Sequence, residues 1–353
     1  MPAFLLLASE SYSLPILRPL ATEAVRQGHR VAWLARDAVA AGLHQDETRI
    51  AGAAALAAFA ADATFATVHR PPPQLPGRQV QLFHGLNLDK RDGGTGHFRI
   101  RGLFDLYCTH GPATTEPFRE LAREHGHFAV AETGWPKLDP LFAPGPMEVR
   151  FTEAARASAG GRPVVLYAST FTESLSSAAA FLPEARRLVA RGDRYWLLTL
   201  HPKSPSHLVE AYRALAGPHA RFVEAADLVG ALQAADVLVC DTSSVNEEFA
   251  LLGKPVVTIR TRVPRPFMLD VASPGEVDAA IEAARAGDPA RLQAMREYVR
   301  MLHPARDGHA SARVLAATQR LLEGGFGPLA PRPRSRWRAF KSRGDLKALL
   351  PHG

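Results

Sequence analysis

The chain has 353 residues, of which 46% are hydrophobic and 22% are charged, the composition of an ordinary globular protein. No apolar run approaches the roughly 18 residues that a membrane-spanning helix needs, so an integral membrane protein is excluded. The apolar start, Met1–Ala8, has no basic residue and indicates a first strand instead of a signal peptide. Because Cys108 and Cys240 each lie in an apolar run, we expect buried thiols and a cytoplasmic protein.

The net charge of +7 is concentrated at the C-terminus. The segment from Pro331 to the end has seven lysines and arginines against one aspartate, so the rest of the chain is close to neutral. This distribution argues against nucleic-acid binding by the folded part. The basic segment, which also contains Trp337 and Phe340, fits either a flexible solvated end or a peripheral contact with an anionic membrane surface.

In chain order, strand-like and helix-like segments alternate, as in α/β domains with parallel sheets. In the first half the predicted elements are strand Phe4–Ala8, helix Ile16–Gln27, strand Val31–Leu34, helix Ala51–Ala66, and strands Gln79–Phe83, Leu106–Thr109 and Ala129–Glu132. The run Ala143-Pro144-Gly145-Pro146 then interrupts the pattern, because adjacent prolines and glycine resist both helix and strand.

After this break the alternation restarts. The predicted strands are Val164–Ala168, Tyr195–Leu200, Arg221–Val223, Val237–Cys240 and Val256–Ile259. The predicted helices are Ala178–Arg191, His207–Ala216, Leu228–Ala234, Asn246–Leu252, Val277–Ala286, Ala290–Leu302 and Ala310–Leu322. We therefore predict two Rossmann-like, doubly wound domains, residues 1–143 and 147–323, the second with closing helices, and a basic, flexible tail over residues 324–353.

Three histidines directly follow predicted strands: His84, His110 and His201. Ligands of open α/β sheets bind beyond the carboxyl ends of the strands, so these imidazoles are placed where a base and phosphate partners converge. A single histidine at such a position is more often a structural, hydrogen-bonded residue. Three of them, drawn from both halves, favour a catalytic role for at least one.

Hydroxyl side chains follow two further strands of the second half. The run Asp241-Thr242-Ser243-Ser244 comes after strand Val237–Cys240, and Ser169-Thr170 follows strand Val164–Ala168. Ser243 or Ser244 is a natural helix N-cap. A helix N-terminus at the carboxyl end of a strand also offers N–H donors and a positive dipole to a phosphate. Two such clusters in one domain favour binding of a diphosphate.

Several common sites are missing from the sequence. It has no G-x-x-x-x-G-K-[ST] loop and no G-x-G-x-x-G after the first strand, which argues against P-loop NTPases and standard dinucleotide oxidoreductases. The glycine-rich run Gly93-Gly94-Thr95-Gly96 follows no strand and is a weak signal. No H-E-x-x-H, paired-cysteine or Asp-x-Asp motif occurs, so we expect no metal site and no metal-held diphosphate.

Seven segments, in order, resemble the conserved blocks of the CDP-glycerol glycerophosphotransferases, enzymes that build teichoic-acid-like polymers. They are His84–Lys90, Thr109–Pro112, Thr133–Phe142, Val165–Phe171, His201–Lys203, Asp241–Ser244 with its continuation Leu252–Val256, and Asp307–Arg313. Thr242 stands where the family usually has tyrosine, so we expect different packing around the nucleotide. Pro136, Lys137 and Asp139 also fit a purely structural role at a strand end.

The resemblance implies a GT-B fold, with two Rossmann-like domains facing across a cleft. It implies transfer of glycerol phosphate, or a related polyol phosphate, from a CDP-linked donor to a hydroxyl of a cell-surface glycan or lipid-linked acceptor. CMP is released, and no metal or cofactor is expected beyond the CDP-glycerol donor. An enzyme that acts on such an acceptor is expected at the inner face of the cell membrane. The resemblance is compatible both with addition of a single unit and with polymerisation.

The resemblance also implies roles for individual residues. His84 is the candidate general base on the acceptor hydroxyl, and His201 is expected to bind the donor phosphates. The further candidates for donor binding are Ser169, Thr170, Lys203, Asp241, Thr242, Ser243, Ser244 and Arg313. The residue pattern itself leaves the base open, because His110 is equally well placed and an imidazole with an ordinary pKa near 6.5 suits either role.

Two other classes of protein compete with this interpretation. The run Ser243–Glu248, with its Glu247-Glu248 pair, and the following Leu252–Pro255 are also similar to UDP-N-acetylglucosamine 2-epimerases, so an epimerase or another GT-B sugar transferase is the nearest alternative. The glutamates also suit the first turn of any helix. A non-catalytic nucleotide- or membrane-binding protein is the more distant alternative.

Overall fold

A computed structural model of the chain describes residues 1–86, 97–333 and 343–350. Its strands are β1 (Ala3–Ala8), β2 (Arg30–Ala35), β3 (Ala63–Ala66), β4 (Arg78–Gln81), β5 (Leu106–Thr109), β6 (Ala129–Glu132), β7 (Val164–Ser169), β8 (Tyr195–Leu200), β9 (Ala220–Phe222), β10 (Val237–Cys240), β11 (Val256–Ile259) and β12 (Met268–Val271). Its helices are α1 (Leu14–Arg26), α2 (Asp37–Ala40), α3 (Ala53–Phe59), α4 (Pro112–His125), α5 (Asp139–Phe142), α6 (Pro146–Ala159), α7 (Ala178–Arg191), α8 (Ser206–Arg213), α9 (Leu228–Ala234), α10 (Val245–Ala250), α11 (Val277–Ala286), α12 (Pro289–Leu302), α13 (Ala310–Leu322) and α14 (Arg343–Leu349).

These elements form two compact units, each built on one six-stranded sheet. The first unit comprises Met1–Asp139 and Met301–Gly353, and its strand order is β2-β1-β3-β4-β5-β6. The second comprises Pro140–Arg300, with strand order β12-β11-β10-β7-β8-β9. Neighbouring strands are parallel throughout. This architecture confirms the predicted α/β class with doubly wound parallel sheets.

The central strands consist of apolar runs because helices cover both faces of a parallel sheet. All six residues of β1 and all six of β8 are buried. Fully burying one leucine or phenylalanine side chain contributes about 2 kcal/mol, so each such strand supplies a large part of its unit's stability. The core of the second unit forms between β7, β8 and β10 and the helices α7 and α11.

One predicted helix, Ala51–Ala66, is wrong in its second half. The helix α3 ends at Phe59, the next residue Ala60 has a left-handed φ of 49°, and Ala63–Ala66 form β3 between β1 and β4. The Asp62 carboxylate accepts a hydrogen bond of 2.7 Å from the amide of Ala3, which aligns this segment with β1. Pairing within the sheet thus outweighs the weak helical preference of the alanines. Helices α4 and α6 and strand β12 were also not predicted.

The predicted end of the second domain also differs from the structure, because residues 301–323 belong to the first unit. Helix α13 is held there through its N-terminus, where the Asp139 carboxylate accepts hydrogen bonds from the amides of Ala310 (2.7 Å) and Ser311 (2.8 Å). Asp139 therefore caps α13, in agreement with the structural role that the sequence left open for it.

The C-terminal segment is not wholly the free tail that the sequence predicts. Arg332 forms an ion pair with the buried Asp105 (3.3 Å), and Leu349 of α14 is buried in the core of the first unit beside Leu346 and Leu350. Apolar side chains at helical spacing explain this packing. Arg334, Arg336, Arg338 and Lys341, with Trp337 and Phe340, lie outside the described residues.

Candidate active site

The strand order gives each sheet a topological switch point, where successive strands lie on opposite sides of a central strand. In the first unit this point lies between β1 and β3, and in the second between β7 and β10. Ligands of doubly wound sheets bind at the carboxyl ends of the strands at such a point. The polar residues that follow these strands are therefore the first candidates for a site.

In the second unit, Asp241 joins the two loops at the switch point. Its carboxylate accepts four hydrogen bonds, from the Ser169 hydroxyl (2.5 Å), the Thr170 amide (2.9 Å), the Ser177 amide (2.8 Å) and the Ser177 hydroxyl (3.0 Å). Asp241 is fully buried, and burial raises the pKa of its carboxyl while the four donors oppose that rise. Its contacts are those of a residue that positions the loops after β7 and β10.

The hydroxyl residues around Asp241 are brought together as the sequence predicts, but they differ in exposure. Ser169 is buried and donates to Asp241, whereas Thr170, Ser243 and Ser244 are partly exposed at the same sheet edge. Thr242 is also partly exposed, and its Oγ1 accepts a 2.9 Å hydrogen bond from the amide of Arg262. Ser244 precedes α10 as its N-cap residue without a capping hydrogen bond from its side chain.

His201 follows β8, next to β7, and is exposed. Its Nδ1 accepts a hydrogen bond from the backbone amide of Lys203 (3.1 Å), so in the neutral ring the proton is on Nε2. The ring packs against Phe171 at 4.4 Å between centroids, and the Lys203 ammonium lies 5.6 Å from the same aromatic ring. His201 and Lys203 thus present N–H donors at the edge where the hydroxyl residues lie.

In the first unit, His84 follows β4 and is exposed. Its Nδ1 lies 3.2 Å from the Thr67 carbonyl oxygen. A carbonyl oxygen can only accept, so Nδ1 carries the proton and Nε2 of the neutral ring is the basic atom. The ring lies tilted against Tyr12 (5.2 Å between centroids) and edge-on to His69 (5.0 Å), which follow β1 and β3 at the switch point. His84 and His201 therefore have opposite tautomers in their neutral forms.

The backbone before His84 is strained. Phe83 has a left-handed φ of 59°, a conformation that a bulky residue adopts only when the surrounding structure imposes it. Its buried ring stacks on His97 (4.7 Å) and packs against Phe118 (5.3 Å), which holds it in place. The strain sets the direction in which the chain leaves β4 and hence the position of His84.

His110 lies in a different environment from His84, although the sequence places them equally well. It is only 1% exposed, between the rings of Phe83 (5.5 Å) and Trp135 (5.4 Å). Burial, together with the neighbouring His303 and His97, lowers the pKa of His110 well below 6.5. A buried neutral ring suits core packing, whereas an exposed imidazole can reach a substrate.

Arg313 belongs to the first compact unit, whereas Ser243 and Ser244 belong to the second. It lies on α13 in the first unit, its Nε donates to the Thr133 carbonyl (2.7 Å), and its guanidinium pairs with Asp307 (2.8 Å). The Asp307–Arg313 block of the sequence thus holds α13 to the loop after β6. Its predicted contact with the donor stays a prediction.

The structure also adds residues that the sequence analysis missed. Tyr12, Thr67 and His69 join His84 at the switch point of the first sheet, and Arg260 and Arg262 follow β11 in the second. Thr67 and His69 follow β3, which the sequence analysis took for part of a helix, so strand ends could not indicate them. Tyr12 and the two arginines follow predicted strands, but they come after the strand end by up to four residues and were not selected. Lys90 and the run Gly93-Gly94-Thr95-Gly96 lie outside the described residues.

A family model described as CDP-glycerol:poly(glycerophosphate) glycerophosphotransferase matches residues 80–264, just over half of the chain. The chain belongs to this family. It is accordingly a glycerophosphotransferase-like enzyme, as the order of the sequence blocks predicted. No curated protein sequence matches the chain.

Solved structures support the GT-B class of this glycerophosphotransferase-family chain. The wall teichoic acid polymerase TagF matches with a TM-score of 0.65 and 14% identity, over 93% of this chain and 90% of that chain. MnaA from S. aureus in complex with UDP matches with a TM-score of 0.62 and 13% identity, over 92% and 97%. A putative UDP-N-acetylglucosamine 2-epimerase from Listeria monocytogenes gives 0.61 and 14%, over 94% and 98%. At these identities the likeness concerns the fold.

Among residues 1–86, 97–333 and 343–350, no three His, Cys, Asp or Glu side chains are grouped as metal ligands. Within the same described residues, no helix is both long enough and apolar enough to cross a membrane.

The histidines of the first unit predict loss of stability in mild acid. Burial lowers the pKa of His303 and of His97 to about 4, and it also lowers the pKa of His110 well below 6.5. The unfolded chain takes up these protons as pH falls through 6.5 while the folded chain does not. The stability is therefore complete above about pH 7 and decreases toward pH 4. We expect the melting temperature to fall by at least about 5 °C from pH 7.5 to 5.

A series of thermal melts checks this expectation. His303→Gln should flatten the pH dependence, since it removes one titrating ring, whereas His44→Gln at an exposed position should leave the slope unchanged. A melting temperature that is constant over this range would contradict the assignment of neutral buried histidines.

Proposed function

We propose that this enzyme transfers glycerol phosphate, or a related polyol phosphate, from a CDP-linked donor to an acceptor hydroxyl. The acceptor oxygen attacks the β-phosphorus of the donor, the bond from that phosphorus to the bridging oxygen breaks, and CMP leaves. The acceptor proton passes to a base on the protein. The observation that carries the proposal is that the two histidines have opposite tautomers in a chain of the glycerophosphotransferase family. In the neutral rings, His84 has its lone pair on Nε2 and suits a base, whereas His201 has its proton on Nε2 and suits a donor to phosphate.

His84 is the base in this proposal. The Thr67 carbonyl holds its Nδ1–H, so that Nε2 has the lone pair that removes the proton from the acceptor hydroxyl. The same carbonyl stabilises the imidazolium that forms when Nε2 takes this proton. Tyr12, a residue that is 40% exposed beside His84, contributes an aromatic face of the kind that packs against a sugar acceptor.

His201 and its neighbours bind the donor phosphates. The Nε2–H of His201, the ammonium of Lys203 and the hydroxyls of Thr170, Ser243 and Ser244 are donors suited to phosphate oxygens. They stabilise the charge that moves onto CMP as the phosphorus–oxygen bond breaks. Asp241 and Ser169 contribute by holding in place the loops that carry these donors.

We propose a glycan or lipid-linked acceptor, no requirement for a metal, and contact between the basic C-terminal segment and an anionic membrane surface. The structure of TagF soaked with CDPG supports the choice of donor, since this chain shares its fold. The UDP complex of MnaA, which also shares the fold, makes a UDP-linked sugar the second candidate donor.

A titration of thermal stability separates the two donors. The ligands are CMP, CDP-glycerol, UDP and UDP-N-acetylglucosamine, each with and without EDTA. A ligand at a hundredfold excess over its Kd raises stability by about 2.7 kcal/mol. We expect a shift with CMP and CDP-glycerol that EDTA does not change. A shift with the uridine ligands alone would favour an epimerase or a sugar transferase, and loss of the cytidine shift in EDTA would refute metal independence.

A further inference from the structure

Two arginines lie beside the loop that follows β10, at positions for which the sequence indicated no function. The chain leaves β11 as Arg260-Thr261-Arg262, and β11 pairs with β10 so that Thr258 lies opposite Cys240. Arg260 and Thr242 are each two residues beyond that pair, at the same sheet edge. The Arg262 amide donates to the Thr242 hydroxyl (2.9 Å), which fastens this loop to the loop containing Ser243 and Ser244.

The fold imposes a strained backbone at the first of these arginines. Arg260 has a left-handed φ of 48°, and its amide donates to the Val271 carbonyl (3.0 Å). A non-glycine residue is strained in this conformation, which persists only when its surroundings enforce it. Such strain is concentrated at functional sites, because it fixes the direction of a side chain that packing alone would not hold.

The charges of Arg260 and Arg262 are not used for stability. Both side chains are exposed, and neither guanidinium forms an ion pair within the described part of the chain. Other arginines of this unit are paired: Arg194 bonds to Asp278 (2.6 Å) and Glu282 (2.6 Å), and Arg191 also bonds to Asp278. Two unpaired cations next to a loop rich in hydroxyls create a positive potential at the edge where ligands of such sheets bind.

We infer that Arg260 and Arg262 bind the diphosphate of a nucleotide-linked donor, with Thr242 positioning their loop. This inference rests on the proposed function and adds two donor-binding residues to it. Guanidinium groups form paired hydrogen bonds with phosphate oxygens and stay charged at every relevant pH. As the bond from the β-phosphorus to the bridging oxygen breaks, they stabilise the negative charge left on the departing nucleotide phosphate. Because the Thr242 side chain is short, its hydroxyl lies close enough to accept the hydrogen bond from the Arg262 backbone amide directly.

The test measures binding of CDP and of UDP by calorimetry to the wild type, Arg260→Gln, Arg262→Gln and the double variant. We expect each single variant to weaken CDP binding about tenfold or more, as for loss of a charge-assisted hydrogen bond. Raising the salt concentration should weaken binding to the wild type more than to the double variant, because screening acts on the charges removed. Arg186→Gln, an exposed arginine on α7, is the matched control and should bind as the wild type does.

The role of Thr242 is tested by Thr242→Val and Thr242→Ser in the same assay. Thr242→Val removes the hydroxyl that accepts from the Arg262 amide, so CDP binding and its dependence on salt should both become weaker. Thr242→Ser keeps this hydroxyl, so both quantities should match those of the wild type.

The outcomes distinguish this inference from the proposed function. Binding of CDP that is equal in the wild type and the double variant would overturn the arginine site and leave the CDP-linked donor standing. Selective binding of UDP that the double variant loses would support the arginine site and overturn the CDP-linked donor. A wild type that binds neither nucleotide would overturn both.

Discussion

Replacement of His84 or of His201 by alanine is expected to lower kcat/KM for CDP-glycerol at least about 10²-fold, the lower range for loss of a general base or a charge-stabilising group. Both residues are exposed, so folding should survive each change. The measurement is a steady-state assay of CMP release, with circular dichroism and thermal melts as a check on the fold.

The two variants should differ in which kinetic constant changes. His84→Ala removes a group that acts on the acceptor proton, so kcat should fall while the KM for the donor changes little. His201→Ala removes an N–H donor to the phosphates, so the KM for the donor should rise as well. His44→Ala and His207→Ala, at exposed histidines of the first and second units, are the matched controls.

A near-normal turnover in His84→Ala would be decisive against its role as the base. His110 would then be the next candidate. Because His110 is buried in the core, His110→Ala is expected to lower stability more than it lowers the activity of the molecules that remain folded.

Replacement of Asp241 by alanine is expected to lower the free energy of unfolding by about 3 kcal/mol or more, because buried donors to a charged group would lose their acceptor. The amides of Thr170 and Ser177 and the hydroxyl of Ser169 all point at this carboxylate. The loops after β7 and β10 would lose the contact that joins them, so the KM for the donor should rise in the molecules that fold. Urea denaturation and donor kinetics measure the two effects.

Milder variants keep this prediction testable if Asp241→Ala does not fold. Asp241→Asn preserves the size of the side chain but turns an NH₂ group toward one set of donors, so it should also be destabilising. Ser169→Ala removes one hydrogen bond of the four and should cost about 1 kcal/mol. Wild-type stability and donor affinity in both variants would show that the carboxylate does not organise these loops.

Much of this molecule follows from local sequence patterns. Alternating apolar runs and amphipathic segments predict an α/β chain with parallel sheets, and most strands of the second unit lie where the pattern places them. The position of a polar residue directly after an apolar run is also local, so His84, His201, Ser169 and Asp241 could be selected as candidates from the sequence. Predictions failed where the local signal was weak, as in the alanine-rich segment that contains β3.

What only the tertiary structure decided is which of these strand ends are neighbours and what each side chain contacts. Strand order depends on pairing between segments far apart in the chain, so the switch points between β1 and β3 and between β7 and β10 have no local signature. The same holds for the histidines: the Thr67 carbonyl determines the tautomer of His84, while packing against Phe83 and Trp135 buries His110. The sequence by itself determined the family and the residue types of the site, because those are written in local motifs. Exposure, tautomer and the pairing of loops arise from contacts between distant residues, and therefore required the folded chain.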